Sequence, residues 1–257
     1  MYDVTTLIPL FVFDELLRIL PSLRQKNEGR RRCQKEALLN GVLQFLVNGV
    51  AWGKIANCGC SYASCYRYFK ELQRKGKLKL IFETLAREKT DVSEGAIDTT
   101  TASSFNFEKM VGWDGHHHKL GTKISLFSDK KGLPADVIFG RGNRPDPDFV
   151  DEHWENTAGR RRLILNLDKL YVSLGRRREF RNKGTKINMQ MKANDYKRKR
   201  GPKFSFDKLK YLVRFLIERL NGWLKNFRSV RMRRSYHPAM FKASVYLALI
   251  IILIRYS

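Results

Sequence analysis

Acidic residues are in short supply in this chain. Asp and Glu total 25 of 257 residues against 50 Lys and Arg, which leaves a formal net charge of +25 and a pI near 10.1. A field of that sign attracts polyanions, and nucleic acid is the commonest such partner. On charge alone DNA and RNA stand equal. Cysteine is sparse too, with Cys33, Cys58, Cys60 and Cys65 the full set. The N-terminus MYDVTTLIPLFVFDELL carries acids where a secretory signal needs a basic start. A reducing, cytoplasmic setting with free thiols is the expectation. The spacing C-x-C-x4-C lacks the paired C-x2-C units or histidines of common zinc sites, so these cysteines read as small buried residues. A long apolar run is also missing. Ala243 to Ile254 is strongly apolar, but Lys242 interrupts it and Arg255 closes it. A bilayer span needs about 20 such residues, so a core helix is expected and no membrane.

What is present is enough apolar residue, 43%, for a sizeable core, and length for one large domain or two small ones. No internal repeat is visible. Residues 5–87 read as helical. Leu7, Phe11, Phe13, Leu16, Leu17 and Leu20 recur at helical spacing until Pro21 stops them. After the basic loop GRRRCQK, a second helix runs from about Glu36 to Asn48, ending near Gly49. The segment WGKIANCGCS leads to a third helix, Tyr62 to Lys75, with Ser61 as its cap. A further helix covers Leu78 to Arg87. The third helix carries Tyr62, Ser64, Arg67, Tyr68, Lys70 and Arg74. After a short segment and a turn containing Gly, it suggests a helix-turn-helix reader of DNA. The plainer reading is a helical bundle with a solvated basic face; the charge of the chain favours contact by Arg67, Lys70 and Arg74.

Beyond Glu94 the texture changes. GAIDTTTAS, KLGTKISLFSD and ADVIFG read as three strands, the last two joined by the turn KKGLP. DPDFVDEHWEN reads as a helix with Asp146 or Asp148 at its start, RRLILNLD as a fourth strand, SLGRRREFRNK as a short basic helix and TKINMQM as a fifth strand. NDYKRKRGPKFSFDK reads as an exposed loop before one long helix, about Phe206 to Phe227. Three strands followed by alternating helix and strand predict an α/β mixed sheet flanked by helices. The division expected is a helical domain over residues 1–90 and an α/β domain over 91–257.

Asp98 and Asp168 each end an apolar strand. Singly, such a residue caps a turn more often than not. Two on neighbouring strands would repel unless a cation stood between them, and Mg²⁺ prefers such oxygen ligands. On the long helix, Tyr211, Arg214, Glu218 and Lys225 fall within about 60° of one another at about 100° per residue. Leu209, Leu212, Val213, Leu216, Leu220 and Leu224 face elsewhere, as a core stripe. The polar stripe reads either as a solvated face with an Arg214–Glu218 pair or as part of a site.

The pattern Y-x2-R-x3-E-x6-K, present as Tyr211, Arg214, Glu218 and Lys225, resembles the signature of bacterial insertion-sequence transposases with an RNase H-like catalytic domain. IDTTTASS, GWDGHHHKLGTKISLFSDKKGLPADVIFGRGN, LNLDKLYVS, KRGPKFSFDKLKYLVRFLIERLNGWLKNFRSVRMR and, upstream, LNGVLQFLVNGVAWGKI and SYASCYRYFKEL are similar to successive blocks of the insertion sequence five group. The resemblance spans nearly the whole chain. It implies an RNase H-like DDE catalytic domain behind an all-α DNA-binding domain. It implies that Asp98, Asp168 and Glu218 bind two divalent ions, Mg²⁺ or Mn²⁺, and that Tyr211, Arg214 and Lys225 touch DNA near the scissile phosphate. The partners implied are terminal inverted repeats and target DNA, with a homodimer holding paired ends in a bacterial cytoplasm, on the nucleoid when bound.

Two positions depart from that pattern. Leu170 stands where the family carries a small residue, and Val172 where a polar one is common. A bulky Leu170 beside Asp168 would tilt the carboxylate, and the alternative reading is a decayed copy that only binds DNA. An RNA-directed RNase H-like nuclease is a third class. His116, His117 and His118 read as an exposed or phosphate-contacting cluster rather than a metal site. Trp113 could stack on a base or anchor its loop.

Overall fold

The computed structural model describes residues 7–22, 33–105, 109–157, 163–171, 174–190 and 206–257. In chain order the helices are α1 (Leu10–Ile19), α2 (Lys35–Asn48), α3 (Tyr62–Arg74), α4 (Lys77–Lys89), α5 (Asp148–Asn156), α6 (Leu174–Asn182), α7 (Lys208–Tyr211), α8 (Val213–Asn226), α9 (Arg228–Arg231) and α10 (Pro238–Tyr256). The strands are β1 (Glu94–Ser104), β2 (Gly112–Asp114), β3 (Lys119–Asp129), β4 (Pro134–Arg141), β5 (Ile164–Asn166), β6 (Lys186–Asn188) and β7 (Met232–Arg233). The basic stretch 191–205 and Val172 lie outside the described residues.

The chain forms two compact units. One holds residues 1–85, 102–111 and 223–257; the other holds 86–101 and 112–222. This division by compactness differs from the linear one at residue 90. The physical reason is α10, whose side chains from Met240 to Ile254 are buried almost without interruption. A helix apolar all round needs partners on every side, and α10 packs on α1, α3 and α9. It is long and apolar enough to cross a membrane, yet most of its apolar window is buried inside the protein. Pro238 at its first turn lacks the N–H that would go unpaired there.

Within this first unit, α2 buries Leu39, Leu43 and Leu46, and α3 buries Cys65, Tyr68, Phe69 and Leu72. The Tyr68 hydroxyl donates to the Pro21 carbonyl at 3.0 Å, which ties α3 to the end of the first helical run. Trp52 stacks on Phe45 with centroids 4.2 Å apart. Ser61 caps α3 as its sequence predicts, accepting from the Ser64 N–H at 3.3 Å. The connection from α2 to α3 spans 49–61 and contains a 3-10 turn at Trp52–Lys54. That is longer than the roughly 3–4-residue turn of a compact helix-turn-helix.

The second unit is built on a mixed sheet flanked by helices. The sheet runs β2-β3-β1-β5-β6, with β4 also on β3; β7 pairs with the end of β1, at Ser103 and Ser104, within the first unit. β3 and β4 pair antiparallel as a hairpin, while β5 is parallel to both β1 and β6. The expected order of strands therefore holds. The short strands β2 and β7 were not legible, because two or three residues carry no alternation to detect. β5 is also shorter than RRLILNLD suggests. Ile97, Phe127, Val150, Leu165, Leu167, Tyr171, Phe180 and Ile187 form the core beneath it.

Asp148 stands at the start of α5, as expected, with Pro147 at the cap position, and Asp146 accepts from the Lys123 ammonium at 2.6 Å. One local expectation fails. The long helix is interrupted at Leu212 into α7 and α8, with Asp207 capping α7 through the N–H groups of Leu209 and Lys210. Leu209 and Leu212 are consequently 80% and 54% exposed rather than core. The buried stripe of α8 is Ile217, Leu220 and Leu224.

Candidate active site

Parallel pairing of β1 with β5 sets the site. Ala96 is opposite Asn166, so Asp98 and Asp168 both stand two residues past that pair. Alternation sends residues i and i+2 to one face, and neighbouring strands lie about 4.8 Å apart. The two aspartates therefore leave adjacent strands at matching height.

Helix α8 brings the other groups. Arg214 donates to Asp168 Oδ2 at 2.6 Å and reaches Glu218 Oε1 and Tyr211 Oη, each at 3.5 Å. Asn221 donates to Asp98 Oδ2 at 2.8 Å. Tyr211, Arg214, Glu218 and Asp168 are thus linked through side chains, and Asp98 is held separately by Asn221 of the same helix, although Leu212 breaks the continuous helix assumed for them. Lys225 is exposed and lies seven residues beyond Glu218 on the same helix, which returns it to Glu218's face.

Burial raises the Asp98 carboxyl to about 6, with Glu218 and Asp146 adding like charge while Arg214 and the Thr99 N–H pull the other way. Asp146 is thus a fourth carboxylate within electrostatic reach, held by Lys123. The donor set is all oxygen, as hard divalent ions prefer. Asp168 and Glu218 share the Arg214 guanidinium, and with Asp98 they offer the hard oxygen ligands a divalent metal would need.

Leu170 does not crowd Asp168. Its side chain is 67% exposed, and its backbone N–H donates to Asp168 Oδ1 at 3.1 Å. The contact the structure gives Leu170 with the Asp168 carboxylate is through its main chain. Behind the site, Tyr171 and Thr99 share a hydroxyl contact of 3.3 Å.

Asn221 and Asp146 escaped the sequence reading. Asn221 had a readable signal, since it lies three residues after Glu218 and so on the same side of α8. Asp146 had none, because its approach depends on how the loop after β4 folds. The histidines are exposed. His117 Nδ1 sits 3.0 Å from Asp114 Oδ2, and Asp114 also accepts from the N–H groups of His116 and His117, so this cluster organises a turn. Trp113 is 56% exposed on β2.

On α3, Arg67, Lys70 and Arg74 are all exposed, opposite the buried face of Cys65, Tyr68, Phe69 and Leu72. Lys70 lies 5.9 Å from the Tyr66 ring centroid.

No curated protein sequence matches the chain. Among solved structures, one described as the piggyBac transposase synaptic complex with hairpin DNA aligns over 100% of this chain and 72% of its own, at 11% identity and a TM-score of 0.54. That is a likeness of fold. A Mos1 transposase paired-end complex with left transposon end covers 65% of this chain and 62% of its own at 9% identity, with a TM-score of 0.26, too low to support an argument. The family model of the transposase DDE domain matches residues 90–254, and it is to this family that the chain belongs.

Proposed function

We propose that this transposase catalyses metal-dependent cleavage and transfer of insertion-sequence ends, and that it falls in the insertion sequence five group through Tyr211, Arg214, Glu218 and Lys225. The observation that carries the reading is the placement of Asp98 and Asp168 at matching height on parallel neighbours, with Arg214 joining Asp168 to Glu218. Two Mg²⁺ or Mn²⁺ ions held by Asp98, Asp168 and Glu218 would activate an attacking water or 3′-hydroxyl and steady the leaving oxygen. Arg214 then exchanges its carboxylate partners for a phosphate oxygen, which its planar fork suits. Tyr211 and Lys225 support the same strand. Terminal inverted repeats and target DNA are the partners, a homodimer holds the paired ends, and the setting is the bacterial cytoplasm. The alternative, an inactive copy that only binds DNA, rests on Leu170, whose side chain is exposed.

The test is strand cleavage of a DNA fragment that spans the gene and its flanks. Cleavage at defined ends is expected with Mg²⁺ or Mn²⁺ and none with EDTA. End binding without cleavage at any divalent ion concentration would sink the catalytic reading.

Arg67, Lys70 and Arg74 are proposed as phosphate contacts. Replacing all three with Ala should flatten the slope of log affinity against log salt by about 2–3, since each phosphate contact contributes roughly 0.9. An unchanged slope would remove α3 from the DNA interface.

A further inference from the structure

Three of the chain's four cysteines gather in one place in the first compact unit, although their spacing follows no common pattern. The Sγ atoms of Cys58 and Cys65 are 3.8 Å apart, those of Cys58 and Cys60 3.9 Å, and those of Cys60 and Cys65 3.2 Å. Three ligand atoms within 4.8 Å of one another could hold a metal ion. Four sulfurs bound tetrahedrally at about 2.3 Å from one zinc stand about 3.8 Å from each other. Two of the three separations already have that value.

The backbone is shaped for this. Asn57 and Gly59 have φ of 55° and 84°, a left-handed pair that curls the chain around Cys58 so that Cys58 and Cys60 turn to the same side. Cys65 comes from the first turn of α3, fixed by the Ser61 cap. On α2, Gly41 leaves the space the sulfurs use: a Cβ there would stand 2.3 Å from Cys65 Sγ and 3.3 Å from Cys58 Sγ. Cys33 precedes α2 in the same compact unit, and its sulfur is not among the three that cluster. Cys58 and Cys65 are buried, and Cys33 and Cys60 partly so. No disulfide joins any of them.

We propose that Cys58, Cys60 and Cys65 bind one structural zinc ion as thiolates, and that Cys33 swings in to complete the set as the fourth thiolate when the ion is bound. The ion ties the segment before α2, the 57–60 turn and the start of α3 together. A closed four-thiolate site has no open position for catalysis, so its work is to hold α3, and with it Arg67, Lys70 and Arg74, in place. The sequence pattern hides it because one ligand comes from before α2 and the other three from after it. The thiolate site stands independently of the carboxylate site.

The experiment uses the full chain expressed in zinc-supplemented medium. One zinc per chain is expected on titration with a mercurial, with all four thiols slow toward a disulfide reagent until a strong chelator is added. Cobalt substitution should give sulfur-to-metal charge-transfer bands and the intense visible bands of a tetrahedral site, a readout that needs no variant to fold. Cys33→Ser should weaken zinc by more than the roughly 10–100-fold that follows loss of an outer-shell partner, and Asp98→Asn should retain full zinc. Absence of zinc with thiols that react equally with and without chelator overturns the proposal. So does a Cys60–Cys65 disulfide in protein isolated without reductant. Unchanged affinity in Cys33→Ser overturns the four-thiolate set.

Discussion

Asp98→Asn is expected to abolish strand cleavage while making the protein more stable. The loss should be on the order of 10³-fold or more, as for a group that acts within one catalytic unit. The gain follows from the direction in which the fold moves the Asp98 carboxyl. Burial lifts it to about 6, above the roughly 3.9 of an unfolded chain. The fold thus favours the neutral form. Its stabilising contribution is fully present below about pH 4 and is lost as pH rises through about 6. At pH 7 the ionised carboxylate costs up to about 3 kcal/mol in the metal-free protein, because a tenfold change in proton affinity is worth roughly 1.4 kcal/mol. Asparagine is neutral throughout and can still accept from Asn221. The melting temperature of the variant should exceed that of the parent at pH 7 and converge with it near pH 4. Mn²⁺ should raise the parent's melting temperature and leave the variant's nearly unchanged. A variant that melts no higher than the parent at pH 7, with its fold intact by circular dichroism, would contradict this assignment. Stability yielded at a working site is a common pattern, and here it is assigned to one atom group.

The second large effect lies in the other unit. Arg233→Ala is expected to destabilise by about 3–5 kcal/mol, the scale of emptying a large buried site. Arg233 is fully buried. Its guanidinium donates to the carbonyls of Ser235 at 3.1 Å, Met110 at 3.3 Å and Tyr236 at 3.0 Å. Removing it leaves a void and strips hydrogen bonds from three part-buried carbonyls, each bond to a charged group worth roughly 1.5–3 kcal/mol. Burial lowers its pKa, the direction a charge shows when taken from water. Arg233→Lys should recover only part of the loss, because one ammonium cannot reproduce the fork. Chemical denaturation measures both, and a cost below about 1 kcal/mol for the alanine variant would refute the structural role.

Much of this was written plainly in the sequence. KLGTKISLFSD is β3 residue for residue, because alternation over eleven positions is hard to mistake. Helices α2, α3 and α4 begin and end within a few residues of where periodicity, Ser61 and the flanking glycines place them. The aspartates were legible because an acid at the exit of an apolar strand is conspicuous. What was hidden depends on three dimensions. The break at Leu212 has no Pro or Gly to announce it. Asp146 turns to Lys123 rather than to α5, a choice made by a loop. Leu170 looks obstructive as a letter, yet its side chain is exposed and its N–H holds Asp168, because the turn after β5 sets its direction. The cysteines looked scattered because folding, not spacing, unites them.

The matched height of Asp98 and Asp168 bears on how such a gene can change and survive. Side chains alternate faces along a strand, so deleting a single codon between Glu94 and Asp98 would send the Asp98 carboxylate to the opposite side of the sheet. The reading frame would be preserved and every surviving residue would be one the enzyme already uses, yet the site would be gone. Point substitutions at exposed positions such as Leu170 carry no comparable penalty. In copies of this gene accumulating damage, three-base deletions within the β1 and β5 segments should therefore mark loss of catalysis more reliably than amino-acid replacements on the surface beside them.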